Sequence, residues 1–362
     1  MRHRLHSICP YFAMFPEEFV RVNLQNLQPR GIIFDPFAGR GTTPFEAALN
    51  GYQSAGTDTN PVAVCISNAK LNSPALSDVL RRLDNLERQS KDFADGRRTS
   101  EFFRWCYNRS TLSQVRFLRH KLKWKKSALD CFIAALSLWS LHGESHRSPN
   151  YFSNRMPRTI STKPQYSVRW WQRFNCTPPK RDVFDILRRM AAFRLRDLAP
   201  IGRGRVAEKD ARLAHIAFPE LTGQISTIIT SPPYLNVTDY HEDQWLRLWF
   251  LGGPESPSAS NSDDRHTSPD LYWQFLQDAW AGTAPLLMPS ARIVVRIGGK
   301  YLRIDSVGER LQASLSEGLK REVRPCGQGS ISLFKRGQRK SFHSDSSRGM
   351  SREFDFTFCA HA

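Results

Sequence analysis

Ser231, Pro232, Pro233 and Tyr234 set a small hydroxyl, two rigid prolines and an aromatic ring directly after a β-branched run, "TIIT". The prolines fix φ and withhold N–H donors, so the Ser231 hydroxyl and the Pro232 carbonyl can both face a pocket as hydrogen-bond acceptors. Two acceptors suit an NH₂ group. Tyr234 supplies a flat face on which a base that has left its duplex can stack. With both amine protons held, the nitrogen lone pair loses conjugation with the ring and can be aimed at an electrophilic methyl group.

A second constellation lies nearly 200 residues earlier, in "DPFAGRGTT". Asp35 ends a short apolar run, and Gly39 and Gly41 occupy the turn before a helix. Glycine lets a backbone approach a ligand closely, and a helix N-terminus offers free N–H donors and a positive dipole end, so a nucleotide-like or carboxylate-bearing ligand fits. No Gly-Lys-Ser/Thr follows, and the third glycine of the dinucleotide fingerprint is absent. Asp58 comes about 20 residues after the loop, where a carboxylate accepts from two ribose hydroxyls. The ligand is therefore expected to be a nucleoside without a tightly gripped phosphate. Asp210, in "AEKDAR", ends a third strand and can accept from the exocyclic amine of a purine.

These residues need a parallel sheet to bring them together. "GIIFD" predicts a strand over 32–34, followed by a helix from about Thr43 to Leu49 and a second strand ending at Asp58, with Asn60-Pro61 opening another helix. Strand-helix-strand order calls for a parallel sheet. Residues 75–200 change character: "LSDVLRRLDNLERQ", "SQVRFLRHKLKWKK", "ALDCFIAALSLWSL" and "VFDILRRMAAFRL" carry apolar residues at helical spacing. Between them, "SHRSPNYFSNRMPRTISTKPQYSVRWWQRFNCTPPKR" shows no clear period and is expected to be an ordered loop that grips a partner. Alternation returns at "GRVAEKDAR" and "ISTIITSPPY". A Gly/Pro/Ser-rich loop over 252–270, a helix near 271–287, the strand "ARIVVRIGG", a helix near 306–319 and two closing strands in an antiparallel hairpin at the sheet edge complete the chain. The expected organisation is 1–74 and 201–362 as two parts of one catalytic domain, with 75–200 a basic helical insertion.

Charge supports a polyanionic partner. The chain carries 52 Lys+Arg against 34 Asp+Glu, a net +18 over 362 residues. Residues 101–200 hold 20 Lys/Arg and 6 Asp/Glu, so 20 − 6 = +14 of that excess is concentrated there. Within it, "MPRTISTKPQYSVRWWQR" mixes cations with rings. Arg155, Arg158, Lys163, Arg169 and Arg173 suit phosphates or guanine edges, and Tyr166, Trp170 and Trp171 suit stacking or wedging. The two tryptophans also suit an anchoring role. Seven scattered cysteines without a C-x-x-C pair are expected to be reduced thiols, with no zinc site. No long apolar run or secretion signal is present, so a soluble, intracellular protein is expected.

On these residues the chain resembles the S-adenosylmethionine-dependent DNA amino-methyltransferases, which methylate N4 of cytosine or N6 of adenine. "DPFAGRGTT" resembles their cofactor motif I, "GTDTNP" motif II, "KDAR" motif III and "TSPPY" catalytic motif IV, with "YFAMFPEEF" similar to motif X. The likeness covers roughly 10–70 and 205–300. It implies a class I, Rossmann-like α/β fold with a mostly parallel seven-stranded sheet. It places Phe15, Pro16, Asp35, Phe37, Gly39, Gly41, Thr42, Thr43, Asp58 and Asp210 at S-adenosylmethionine, and Ser231, Pro232, Pro233 and Tyr234 at the flipped base. Asp239 and Tyr240 fall where the family has a loop over the active site, with Tyr240 flanking the base, and His241 reads as an ordinary loop histidine.

Ser at the first position of the tetrapeptide is typical of the N4-cytosine enzymes, and Asp is commoner in N6-adenine ones, which favours cytosine in double-stranded DNA. The resemblance further implies a cytoplasmic, nucleoid-associated protein of a bacterium or archaeon, in a restriction-modification or related defence system with a cognate restriction endonuclease as companion. The motif order X, I, II, III, IV departs from the family where the large insertion falls between II and III, so its recognition role rests on charge and aromatics. The rivals are an N6-adenine DNA methyltransferase, a tRNA guanine-N2 methyltransferase, and a non-catalytic nucleic-acid-binding protein on a decayed methyltransferase core.

Overall fold

The computed structural model describes residues 2–11, 15–25, 27, 31–96, 98–156, 163–197, 199, 202–234, 244–257, 268–298, 304–327, 329–333 and 352–362. The chain divides into two compact units. One comprises 11–67, 200–238 and 262–362; the other comprises 1–10, 68–199 and 239–261.

The first unit is an α/β sandwich around one sheet. Its strands are β1 (Ile32–Asp35), β2 (Ser54–Asp58), β3 (Gly204–Glu208), β4 (Ile225–Thr230), β5 (Leu287–Gly298), β6 (Glu322–Pro325), β7 (Ser330–Leu333) and β8 (Arg352–His361), in the order β3-β2-β1-β4-β5-β8-β6 with β7 also on β8. The β3 to β5 pairings are parallel, and β8 runs antiparallel to its neighbours. This is the Rossmann-like, mostly parallel α/β architecture expected from the sequence. The edge position is filled by two short strands, so eight strands occupy seven places; β6 and β7 pair successive stretches of β8.

Alternation along the strands explains the layers. Phe34, Ile228, Ile293 and Val295 enter one core with Phe275, Leu276, Trp280, Leu311 and Leu315. Ile33, Ile229 and Val294, one residue out of phase, enter the other with Phe19, Val20, Leu24 and Ala47. Helices α1 (Glu17–Leu24) and α2 (Thr42–Leu49) supply the second layer, and the helices Pro269–Thr283 and Ile304–Leu319 supply the first. Glu17 and Glu18 sit in the first turn of α1, where the helix dipole favours negative charge.

Cys326 and Cys359 are joined by a disulfide, which corrects the expectation of reduced thiols throughout. They lie 33 residues apart in sequence, and only the antiparallel pairing of β6 with β8 brings them together. The other cysteines are free, and Cys9, Cys65, Cys106 and Cys131 are buried.

The second unit is helical. It contains α4 (Leu76–Ser90), α5 (Glu101–Cys106), α6 (Arg109–Lys121), α7 (Ala128–Ser140), α8 (Pro164–Arg173) and α9 (Val183–Arg194), after α3 (Pro61–Leu71), which crosses the division. Asn108, Ser127 and Asp182 cap α6, α7 and α9 with side-chain oxygens. Helix Trp245–Phe250 also belongs to this unit rather than to the sheet. Trp245 packs on Phe102 with ring centroids 5.0 Å apart, Trp249 packs on Phe103 at 4.5 Å, and Arg119 donates to the Trp249 and Gly253 carbonyls at 2.7 and 2.9 Å. The unit thus starts its main run at 68 and takes in distant segments, beyond the 75–200 that composition marks.

A further correction concerns the stretch expected to be an irregular loop. It contains α8, opened by Pro164 at the first helical position, with Ser167, Val168 and Trp171 buried on one face.

Among the described residues no helix is long and apolar enough to cross a membrane, and no group of His, Cys, Asp and Glu has the spacing of a metal site.

Candidate functional site

β1 lies between β2 and β4, so the strand order reverses there, and in open sheets of this kind ligands bind beyond the carboxyl ends of such strands. Asp35 ends β1, and Ser231 follows β4. Thr230 Oγ1 donates to Asp35 Oδ1 at 2.5 Å, and Thr43 Oγ1 donates to the Ile229 carbonyl at 2.9 Å. These two bonds tie the residues that flank the glycine turn to the end of β4, directly before Ser231, across sequence separations of 195 and 186. Asp35 is fully buried, and desolvation lifts its pKa to about 7, against the hydrogen bonds from Thr230 and the Phe37 N–H.

The loop has the left-handed geometry that its glycines permit. Gly41 has φ +70°, and a Cβ there would lie 2.5 Å from Ser67 Oγ and 3.1 Å from the Ser67 backbone. Gly39 has φ +51°, and a Cβ there would meet Tyr11 Cε1 at 3.8 Å and the Phe37 carbonyl at 4.0 Å, ordinary contact distances. Asp58 Oδ2 accepts from the Gly39 N–H and Oδ1 from the Asn60 N–H, both at 2.8 Å. Burial raises the Asp58 pKa to about 6, opposed by those two donors. Asn60 Nδ2 donates to the Tyr11 hydroxyl at 3.2 Å, and Arg40 is paired to Glu17 at 2.6 Å. Tyr11, Asn60 and Arg40 all lie inside the motifs quoted above, yet sequence does not single them out, because their roles depend on partners in other segments.

Several expected cofactor contacts take a different part. Asp35, Thr42 and Thr43 are 0%, 2% and 0% exposed. Asp35 and Thr43 use their side chains to hold the loop to β4, and Thr42 Oγ1 accepts from the Arg40 guanidinium at 3.4 Å. Phe15 is buried against Phe19, with ring centroids 5.4 Å apart, and Pro16 caps α1. Phe37 is partly buried against Phe275 and Trp280. Both Asp210 carboxylate oxygens accept from the Arg212 guanidinium at 2.9 Å, and Oδ1 also accepts from the Arg212 N–H at 3.0 Å. Asp210 therefore meets a purine amine only with lone pairs that Arg212 leaves over.

After β4, Pro232 is buried and Ser231, Pro233 and Tyr234 are partly buried. The Tyr234 ring packs on Gly298 at the end of β5, where a Cβ would come within 2.9 Å of Cε2. Its hydroxyl donates to Glu353 Oε1 at 2.7 Å, and Ser231 Oγ donates to the Tyr234 hydroxyl at 3.4 Å. Glu353 faces Arg296 at 3.4 Å, and Arg296 binds both oxygens of Asp355 at 2.6 Å. Sequence reasoning missed Glu353 and Arg296. An acid at the start of a closing strand carries no signal until its register against Gly298 is known.

In the helical unit, α8 exposes Lys163, Tyr166, Arg169 and Arg173, with Trp170 partly buried and Phe174 exposed. Tyr166, Trp170 and Phe174 follow one another at four-residue spacing, and the Trp170 and Phe174 centroids are 5.0 Å apart. Arg155 lies 5.6 Å from the centre of the Trp170 ring. Among the described residues Arg155, Arg169 and Arg173 have no carboxylate partner. All six acids of 101–200 are engaged: Glu101 by Gln172, Asp130 by Arg82, Glu144 by Arg147, Asp182 as a cap, Asp185 by Arg189 and Asp197 by Arg4. Arg116 and Arg194 are buried, while Lys163, Arg169 and Arg173 are exposed. Trp171 is a correction: it is fully buried, donates to the Arg155 carbonyl at 2.5 Å and packs on Phe102. It anchors α8, because its position places it with Ser167 and Val168 on the inner face. Arg158, Asp239, Tyr240 and His241 lie outside the described residues.

No family model matches the chain, and none of the curated proteins matches it. Similar solved structures include the rRNA methyltransferase aviRa of Streptomyces viridochromogenes, 11% identical over 96% of this chain and 86% of that one, TM-score 0.34. A methyltransferase of Methanosarcina mazei described as SAM-dependent is 9% identical over 97% and 99%, TM-score 0.35. A point mutant of the 16S rRNA (adenine(1408)-N(1))-methyltransferase of Catenulisporales acidiphilia is 10% identical over 97% and 94%, TM-score 0.32. Likeness of this extent identifies neither substrate nor activity.

Proposed function

We propose that the chain is an S-adenosylmethionine-dependent amino-methyltransferase acting on a nucleic-acid base, with N4 of cytosine in duplex DNA as the target. The observation that carries this reading is the hydrogen bonding of Asp35 and Thr43, which flank the glycine turn, to the last two residues of β4, directly before Ser231, at the strand-order reversal. The loop fits the methyl donor: left-handed glycines at 39 and 41 that present backbone without side chains, a half-buried carboxylate at Asp58 with lone pairs to spare for two ribose hydroxyls, and the start of α2 nearby. When bound, the donor supplies an electrophilic methyl on a sulfonium.

The chain's own residues do the rest. The Ser231 hydroxyl oxygen and the Pro232 carbonyl accept the two amine protons, which localises the nitrogen lone pair and orients it; alignment of the reacting atoms then accounts for the acceleration. Tyr234 offers the remaining face of its ring to the base. The exposed cations and aromatic ridge of α8 supply phosphate neutralisation and stacking, with a restriction endonuclease as companion in a defence system.

The test is incubation with a radiolabelled methyl donor and either duplex DNA or tRNA, followed by nucleoside analysis. N4-methylcytosine in DNA, lost in Ser231→Ala, supports the reading. N6-methyladenine would move the target base, N2-methylguanine in tRNA would move the substrate class, and no transfer to any nucleic acid would sink the proposal.

A further inference from the structure

Amine methylation leaves a positive charge on nitrogen, and a proton must then depart. Ser231 donates to the Tyr234 hydroxyl, and Tyr234 donates to Glu353. Among the described residues, the charged groups facing Glu353 are Arg296 on β5 and Asp355 on its own strand. Ser332 on β7 pairs opposite it, and Gly298 pairs with it from β5. Ser332 Oγ donates to Asp355 at 3.0 Å, and the Arg296 guanidinium lies 4.2 Å from the centre of the Phe19 ring. Glu353 and Arg296 are 8% and 6% exposed.

This chain has a fixed polarity. An ionised carboxylate only accepts, so Tyr234 must donate to it. Having committed its single proton, the Tyr234 oxygen can only accept, which draws the Ser231 proton. Ser231 Oγ is then left with lone pairs alone, the state that binding an amine proton requires.

We propose that Glu353 is a positioning residue that, through Tyr234, fixes Ser231 as a hydrogen-bond acceptor and receives, through the same two hydroxyls, the proton the methylated amine sheds. This rests on the function proposed above. The carbon–sulfur bond of the donor breaks with its electron pair going to sulfur, and the amine lone pair forms the carbon–nitrogen bond. The charged nitrogen then gives a proton to Ser231 as the Ser231 proton passes to Tyr234 and the Tyr234 proton to Glu353, which ends as the neutral acid. Loss of that proton to buffer, with rotation of the two hydroxyls back to donate toward Glu353, resets the chain.

The electrostatics agree in direction. Burial raises the Glu353 pKa, against the Tyr234 hydrogen bond and the charge of Arg296, so the carboxylate is a stronger base than an exposed one. Burial, then the charge of Glu353, holds the Tyr234 pKa well above its usual value, so the phenol stays neutral and can both accept and donate. Because Glu353 must be ionised, kcat should rise with pH through its raised pKa.

The deciding experiment measures kcat, its pH profile and donor affinity by calorimetry for the full chain, Glu353→Gln, Tyr234→Phe and the double variant. Each single variant should lower kcat by about 100-fold, within the range for proton-transfer catalysis. Donor affinity should stay within about twofold, the acidic limb of the profile should disappear, and the double variant should be no worse than either single one. Wild-type kcat and an intact acidic limb in Tyr234→Phe would overturn the relay, as would multiplying losses in the double variant. Tyr234→Phe leaves the Glu353–Arg296 pair in place, so it decides the matter even where Glu353→Gln folds poorly. Absence of transfer by the unaltered protein would instead remove the proposed function on which the relay stands.

Discussion

Asp58 closes the glycine turn through the Gly39 N–H, and in the proposed function it also holds the donor's ribose. Its pKa near 6 means the accepting form fills in as pH rises. Methyl-donor affinity should therefore climb between about pH 5 and 7. In Asp58→Asn calorimetry should find the slope gone and binding weaker by about 10- to 100-fold, the worth of hydrogen bonds to a charged group. An affinity independent of pH in the unaltered protein would remove Asp58 from the ribose. Gly41 makes a different kind of prediction, since its φ of +70° and the closeness of Ser67 both oppose a side chain. Gly41→Ala should destabilise the fold by about 1–3 kcal/mol in denaturant unfolding, whereas an unchanged midpoint would show that the turn can relax.

At the scale of elements, α8 separates two kinds of aromatic residue that sequence placed side by side. Trp171 is core, so Trp171→Ala should cost about 3–5 kcal/mol in stability. Tyr166, Arg169, Arg173 and Phe174 are surface. Arg169→Gln and Arg173→Gln should each weaken DNA binding at every sequence and reduce the slope of log affinity against log salt by about 1, with the melting temperature unmoved. An unchanged salt slope in a filter-binding titration would take α8 off the nucleic acid.

For the whole molecule, pH reports on the buried carboxyls. Asp35 rises from 3.8 to about 7 on folding, and Asp58 to about 6. A carboxyl raised in the folded state supplies stability below its unfolded pKa that is lost as pH rises through its folded one. Stability from these two groups should thus fall between about pH 4 and pH 7, by an amount that for Asp35 alone is roughly 4 kcal/mol at most. Asp35→Asn, which keeps an acceptor for Thr230 and the Phe37 N–H, should flatten much of that fall in urea titrations; an identical pH dependence in the variant would refute the assignment.

Local chemistry by itself makes the strand ends of the sheet legible. Glycines at 39 and 41, acids at strand ends and prolines after a β-branched run each constrain the backbone within a few residues, so Asp35, Asp58 and Ser231 stand at the strand ends where sequence put them. Helix spacing likewise marked α4, α6, α7 and α9. Tertiary structure alone decided what depends on distant partners: that Asp35, Thr42 and Thr43 are buried supports, that Arg212 occupies Asp210, that Trp171 points inward while Tyr166 does not, that Cys326 meets Cys359, and that the helix after the Ser-Pro-Pro-Tyr motif joins the basic unit. Glu353 is the plainest case. Nothing within its own strand distinguishes it, and it acquires a role only when antiparallel pairing sets it against Gly298 and within reach of Tyr234.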